Sequence, residues 1–184
     1  MLGNENLLKE SSIAIVGSRD STEYGEQVTK YFTKELVLRD VVIVSGAARG
    51  IDYYSHKTCL ENSGKTIAVL GNGLNEIYPK QNIELAKQII KSGGCIISEY
   101  PIGTKPEKLN FPQRNRIISG LSQGVLVVEA GEKSGSLITV DFALEQGREV
   151  FVVPGNITSE NSKGTNNLIK QGAKLVTNCE DILV

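Results

Sequence analysis

Between Lys105 and Arg116 lie four cations (Lys105, Lys108, Arg114 and Arg116), one aromatic residue, Phe111, and a single acid, Glu107. Cations flanking an aromatic ring suit a nucleic acid, because the charges meet phosphates while the ring offers its face to a base. At about 100° per residue, Ile117, Ile118 and Leu121 share one face of a helix; Arg114 lies on that inward stripe and Arg116 points nearly opposite. Arg114 then stands in the first turn, its side chain leaning toward the helix N-terminus. Two other readings stay open. Arg114 could be the structural partner of Glu99 or Glu129, and Phe111 could be a hydrophobic staple instead of a stacking platform.

A second stretch could seat phosphates. Val41 to Val44 are β-branched without polar alternation, as in a strand covered on both faces. The strand stops at Ser45-Gly46, turns through Ala47-Ala48-Arg49, and opens a helix near Gly50. Such a turn leaves backbone N–H groups unpaired beyond the strand's carboxyl end, where the helix dipole adds positive potential. Arg49 would add a full charge, and Asp52 would cap the helix or orient a neighbour. Gly17-Ser18-Arg19 closes an earlier strand in the same way. The same glycines would equally serve a tight turn with no ligand.

The elements that position these residues alternate strand with helix. After a polar lead-in over residues 1–11, strands are expected at Ser12–Gly17, Val41–Ser45, Thr66–Leu70, Cys95–Ser98, Val125–Val128 and Val150–Val153. Helices are expected from about Glu23 to Leu38, Gly50 to Asn62, Lys80 to Gly93, Pro112 to Leu121 and Gly135 to Gln146. A helix near Thr165–Gln171 and a short strand at Leu175–Val176 close the chain. This order implies one α/β domain over residues 12–184, a doubly wound, mainly parallel sheet with helices on both faces.

Composition narrows the function. The 184 residues are 40% hydrophobic and 22% charged, with a net charge of −1, so any polyanion site must be a local patch. Cys59, Cys95 and Cys179 are odd in number and form no C-x-x-C pair, which points to a reduced, cytoplasmic setting without a metal site. No apolar run approaches membrane-spanning length. Gly120-Leu121-Ser122-Gln123-Gly124 has hydrolase-elbow spacing but follows a helix where the elbow follows a strand. His56, the only histidine, reads as solvated or structural. Gly64-Lys65-Thr66 lacks the first glycine of a P-loop, and Glu76 stands where a dinucleotide fingerprint after Gly71-Asn72-Gly73 needs glycine. No catalytic residue and no cofactor are expected.

Taken together, several motifs resemble one family, the DNA-processing protein A (DprA or Smf) family. They are Gly17-Ser18-Arg19, Ser45 to Asp52, Tyr78-Pro79-Lys80-Gln81-Asn82, Ser98-Glu99-Tyr100-Pro101, Phe111 to Ser122, Ser134 to Thr139 and Pro154-Gly155. The resemblance runs from Ser12 to Val184. It implies an extended Rossmann-like domain that binds single-stranded DNA, forms a homodimer through its carboxyl-terminal part, and helps load the RecA recombinase in natural transformation. Members usually carry further small domains, and Ala47 stands where a larger apolar residue is common. On this reading phosphates meet Gly17, Ser18, Arg19, Ser45, Gly46, Arg49, Gly50, Lys80, Lys108, Arg114 and Arg116, while Phe111 stacks a base. The dimer patch is Leu168, Ile169, Leu175 and Val176; the alternative is that Leu168 and Ile169 simply pack on the sheet. Two other functions compete. A nucleotide phosphoribohydrolase of the lysine-decarboxylase-like family would need an acid where Thr139 stands, and a nucleotide-sensing module would need no basic segment.

Overall fold

A computed structural model describes residues 1–183. Its centre is an eight-stranded sheet of β1 (Leu2–Gly3), β2 (Ser12–Val16), β3 (Val42–Ser45), β4 (Thr66–Val69), β5 (Cys95–Ile97), β6 (Gly124–Val127), β7 (Glu149–Val152) and β8 (Lys174–Leu175). The order across the sheet is β1-β5-β4-β3-β2-β6-β7-β8, and every pairing is parallel except that of β1 with β5. The expected doubly wound α/β fold is therefore present.

Strands β2 to β7 send alternate residues to the two faces, each with its own core, which is why their sequences show little polar alternation. On one face Val44, Ile67 and Val125 pack with Ile118, Val140 and Ala143, from α4 (Asn110–Leu121) and α5 (Ser136–Glu145). Leu168 and Ile169 of α6 (Glu160–Lys170) join this layer. On the other face Ile13, Ile15 and Ile43 pack against Phe32, Leu36, Ile51 and Cys59. These come from α1 (Glu23–Val37) and α2 (Ile51–Glu61). Further along, Leu85 and Ile89 of α3 (Ile83–Lys91) cover Ala68 and Ile96.

The order of the strands reverses at β2, which lies between β3 and β6. The crevice beyond the carboxyl ends of β2 and β6 is thus the place where such sheets hold ligands.

Three expectations need correction. Residues 1–11 are not a lead-in: Leu2–Gly3 adds an antiparallel edge strand against Cys95 and Ile96, and Leu7 is buried in the core. Helix α6 starts at Glu160, five residues before Thr165. The last strand ends at Leu175, and Val176 is fully buried in the core behind it.

Because Leu7 fills core space, Leu7→Ala should lower stability by about 2–5 kcal/mol through lost transfer energy and a residual cavity. Urea unfolding checks this, and an unchanged midpoint would restore the lead-in reading.

Candidate nucleic-acid interface

The two glycine-rich turns are stitched to each other. Ile51 N–H donates to the Ser18 carbonyl at 3.1 Å, and Ser18 N–H donates to the Glu129 carbonyl at 2.8 Å. Gly50 has φ +72°, and a Cβ there would collide with the carbonyls of Ser18 and Arg19, so this residue must be glycine on both counts. A Cβ on Gly17 would stand 2.6 Å from Ile51 Cγ1. The close approaches these two glycines allow are thus made to the protein's own chain.

Ser45 is fully buried and its hydroxyl donates to the Ile15 carbonyl at 2.7 Å, so it is not a phosphate ligand. Gly46 is buried as well, with a Cβ position 2.5 Å from Asp52 Oδ2 and 2.9 Å from an Arg114 Nη. Beneath it His56 is fully buried, with Nε2 donating to the Gly46 carbonyl at 2.6 Å and Nδ1 2.7 Å from Thr66 Oγ1. It is structural, not solvated, and burial pushes its pKa down to about 4.

Arg114 does lean inward, but its partners are neither Glu99 nor Glu129. It is 4% exposed; Nη1 donates to the Val69 carbonyl and Nε to Asn115 Oδ1 at 3.2 Å. The carboxylate across Gly46 from it is Asp52, which accepts from Ala48 N–H at 3.4 Å and attracts the guanidinium without a direct ion pair among the described residues. Burial pushes the guanidinium down to about 10, against the attraction of Asp52, so it stays charged at neutral pH. Burial raises Asp52, and the Arg114 charge opposes that rise. Through its bond to the Ala48 N–H Asp52 orients the preceding turn; it does not cap α2, whose start carries no side-chain cap. Glu99 is taken by Arg116, on the outer side of α4. Glu129 accepts from Thr22 N–H at 2.9 Å and the Thr22 hydroxyl at 2.5 Å, fixing the start of α1.

Phe111 is the junction of the site. Its ring lies on Gly71, where a Cβ would be 2.8 Å from Phe111 Cδ1. The guanidinium carbons of Arg19 and Arg114 are 5.7 and 5.8 Å from the ring centroid, within cation–π range. Tyr78 stands 5.7 Å away, tilted by 32°.

Two cavities share Arg19, Ala48, Phe111 and Arg114. One, of about 760 Å³, adds Ala47, Arg49, Tyr78, Pro79, Lys80 and Pro106. The other, of about 440 Å³, adds Gly17, Ser18 and the turn before α5. Lys108, three positions before Phe111, is exposed and lines neither. Sequence reasoning assigned no role to Lys133, Ser134, Ser136 and Thr139, although Ser134 to Thr139 was among the family motifs.

A family model described as DNA recombination-mediator protein A matches residues 1–184. The chain belongs to that family. It is 52% identical over 181 residues to Protein Smf of Escherichia coli (strain K12), covering 98% of this chain and 48% of the relative. The X-ray structure of DNA processing protein A from Streptococcus pneumoniae superposes with TM-score 0.92 at 47% identity, over 99% of this chain and 64% of that one. The Helicobacter pylori protein, whose structure is described for its single-stranded DNA binding mode, gives TM-score 0.90 at 33% identity. It is covered over 83% of its chain, against 99% of this one. The chain thus spans about half the length of its Escherichia coli relative.

The buried imidazole sets a pH dependence. An unfolded His56 takes up its proton near pH 6.5, whereas the folded one does so only near pH 4. Its contribution is present above about 6.5 and is lost as pH falls toward 4, about 3 kcal/mol in all. Urea unfolding from pH 7 to 4 should show a loss that His56→Gln flattens; equal slopes would contradict the assignment.

Proposed function

We propose that this domain binds single-stranded DNA across the mouth of the crevice, with bases against Phe111 and Tyr78 and phosphates on the surrounding cations. The observation that carries the reading is the Arg19–Phe111–Arg114 stack beside Tyr78, flanked by Arg49, Lys80 and Lys108 on a chain of net charge −1. An aromatic face flanked by cations takes unpaired bases and backbone together, whereas duplex bases are not free to stack. Likeness to a Helicobacter pylori protein described as binding single-stranded DNA supports the same reading.

Arg19 and Lys80 are the phosphate contacts at the rim, with Lys108 and Arg49 outside them. Arg49 is 3.5 Å from Asp20 in an exposed pair, and Arg116 is paired with Glu99, so both contribute less than Arg19 and Lys80. Gly17 and Ser18 line the narrower cavity.

The wider role we infer is that of a recombination mediator that protects incoming strands and helps load RecA in natural transformation. The family description, DNA recombination-mediator protein A, supports it. We assign no catalytic step. Thr139 occupies the position where the competing phosphoribohydrolases carry an acid, and His56 is sealed beneath Gly46. Among the described residues no group of three His, Cys, Asp or Glu side chains could hold a metal, and no helix is long and apolar enough to cross a membrane. Three free, buried cysteines support a cytoplasmic setting.

For the homodimer the interface we propose is narrower than the sequence patch. Val176 is core, and Leu168 and Ile169 pack partly on the sheet. Leu175 is 45% exposed on the edge strand β8, and Leu144 is 63% exposed on α5. An open parallel edge with apolar neighbours suits a two-fold pairing.

Binding to an oligothymidylate should exceed binding to a duplex of equal length. Arg19→Ala and Lys80→Ala should each lower the slope of log affinity against log salt by about 0.7, and Phe111→Ala should cost about 1–3 kcal/mol. Fluorescence anisotropy across a salt series reads all three, and equal affinity for duplex would refute the reading. Leu175→Glu should yield a folded monomer in sedimentation velocity, and a wild-type monomer at high micromolar concentration would exclude the dimer.

A further inference from the structure

The strand-binding reading uses the wide cavity and leaves the narrow one unexplained. That cavity lies between the carboxyl ends of β2 and β6, where the strand order reverses. Its volume of about 440 Å³ falls within the range of small-molecule sites, about 300–1,000 Å³. None of Arg49, Lys80 or Lys108 lines it.

Its far wall is Gly131 and the turn from Lys133 to Ser136, which leads into α5. The first N–H groups of this ten-residue helix are already met, Ser136 by Ser134 Oγ at 3.4 Å, Leu137 by the Ser134 carbonyl at 3.1 Å and Ile138 by the Gly135 carbonyl at 3.3 Å, so the helix offers the cavity the positive end of its dipole and not free donors. A helix start alone would mean little. The independent observation is Thr139, which is 1% exposed and lines the cavity, and whose hydroxyl makes no hydrogen bond among the described residues. That hydroxyl is not one of the side-chain atoms sealed in the core without a partner, so its free hydrogen-bonding capacity opens on the cavity. Ser134 and Ser136 share a 2.7 Å hydrogen bond on the same wall.

The charges agree. Arg19 and Lys133 are exposed and Arg114 is buried in the shared floor. Asp52, the one acid lining the cavity, accepts from the Ala48 N–H and lies across Gly46 from Arg114. Side-chain hydroxyls, the positive end of the α5 dipole and three cations around one acid suit an oxyanion with several acceptors. The floor is closed by Val16, Ile118 and Thr139, each 3% exposed or less. A phosphate that reaches it has space for one ester linkage leading back to the mouth.

We propose that this cavity binds the phosphomonoester of a nucleotide, phosphate inward, with the base left at Phe111. Two sources share that chemistry, the terminal phosphate of a DNA strand and a free nucleoside monophosphate. The strand-end form rests on the strand-binding reading, and the free-nucleotide form does not.

The test uses the full chain with two pairs of probes: deoxyadenosine monophosphate against deoxyadenosine by calorimetry, and one oligothymidylate with a 5′-phosphate or a 5′-hydroxyl by anisotropy. In at least one pair the phosphorylated member should bind at least tenfold tighter. Thr139→Val and Lys133→Ala should each cut that preference at least fivefold, whereas Lys108→Ala should weaken both oligonucleotides alike and keep it. A preference confined to the oligonucleotide assigns the site to strand ends, and one confined to the mononucleotide assigns it to free nucleotide.

No preference in either pair overturns the proposal, as does a preference that survives both substitutions. Lys133 is exposed, so its variant stays informative should Thr139→Val fail to fold. If hydroxyl-ended strands still bind when the preference is absent, strand binding stands and only the cavity's assignment falls. If no oligonucleotide binds, strand binding itself has failed.

Discussion

A buried cation governs the crevice. Arg114 is held at 4% exposure beneath a site expected to meet anions, and removing a charge from water costs several kcal/mol unless its partners are fixed. Its hydrogen-bond partners are the Val69 carbonyl at the end of β4 and Asn115 on its own helix, while the Asp52 carboxylate in the first turn of α2 attracts it from across Gly46. Each must be where it is for the others to be tolerated. Strand ends, the start of α4 and the start of α2 are therefore locked around one guanidinium, which in turn faces Phe111.

The glycines follow from the same closeness. Gly46 lies between Asp52 and Arg114, and Gly50 passes against the Ser18 and Arg19 carbonyls. Side chains at these positions would separate the two turns that carry Arg19 and Arg49. Below them His56 holds the Gly46 carbonyl from inside the fold. Farther along, Glu129 ties β6 to the start of α1, and Gly25 leaves room for its carboxylate. The crevice is thus rigid at its base, while its chemistry is carried by long cationic side chains and rings at its rim.

The strands of the central sheet were legible because both of their faces are buried, so continuous apolar runs mark them without ambiguity. The inward direction of Arg114 followed from helical periodicity, and so did the outward one of Arg116. Their partners were not legible, since Asp52 and Val69 are 62 and 45 positions away from Arg114 and meet it only through the sheet. The edge strand Leu2–Gly3 was missed because two residues carry no period. The early start of α6 was missed because Glu160 to Gly164 contains Asn, Ser and Gly, poor helix formers that tertiary contacts override. Ser45 was misjudged as a ligand because a hydroxyl at a strand end reads the same whether it faces the crevice or, as here, the neighbouring strand's carbonyl.

A double-mutant cycle between Asp52 and Arg114 tests this account most directly. Urea unfolding of Asp52→Ala, Arg114→Met and the double variant gives the coupling. Asp52→Ala should lower stability, since it removes the carboxylate nearest a buried cation, and the double variant should be at least about 1 kcal/mol more stable than the sum of the single losses predicts. Additive losses would show that the two side chains are independent and that the crevice is not organised around the buried cation.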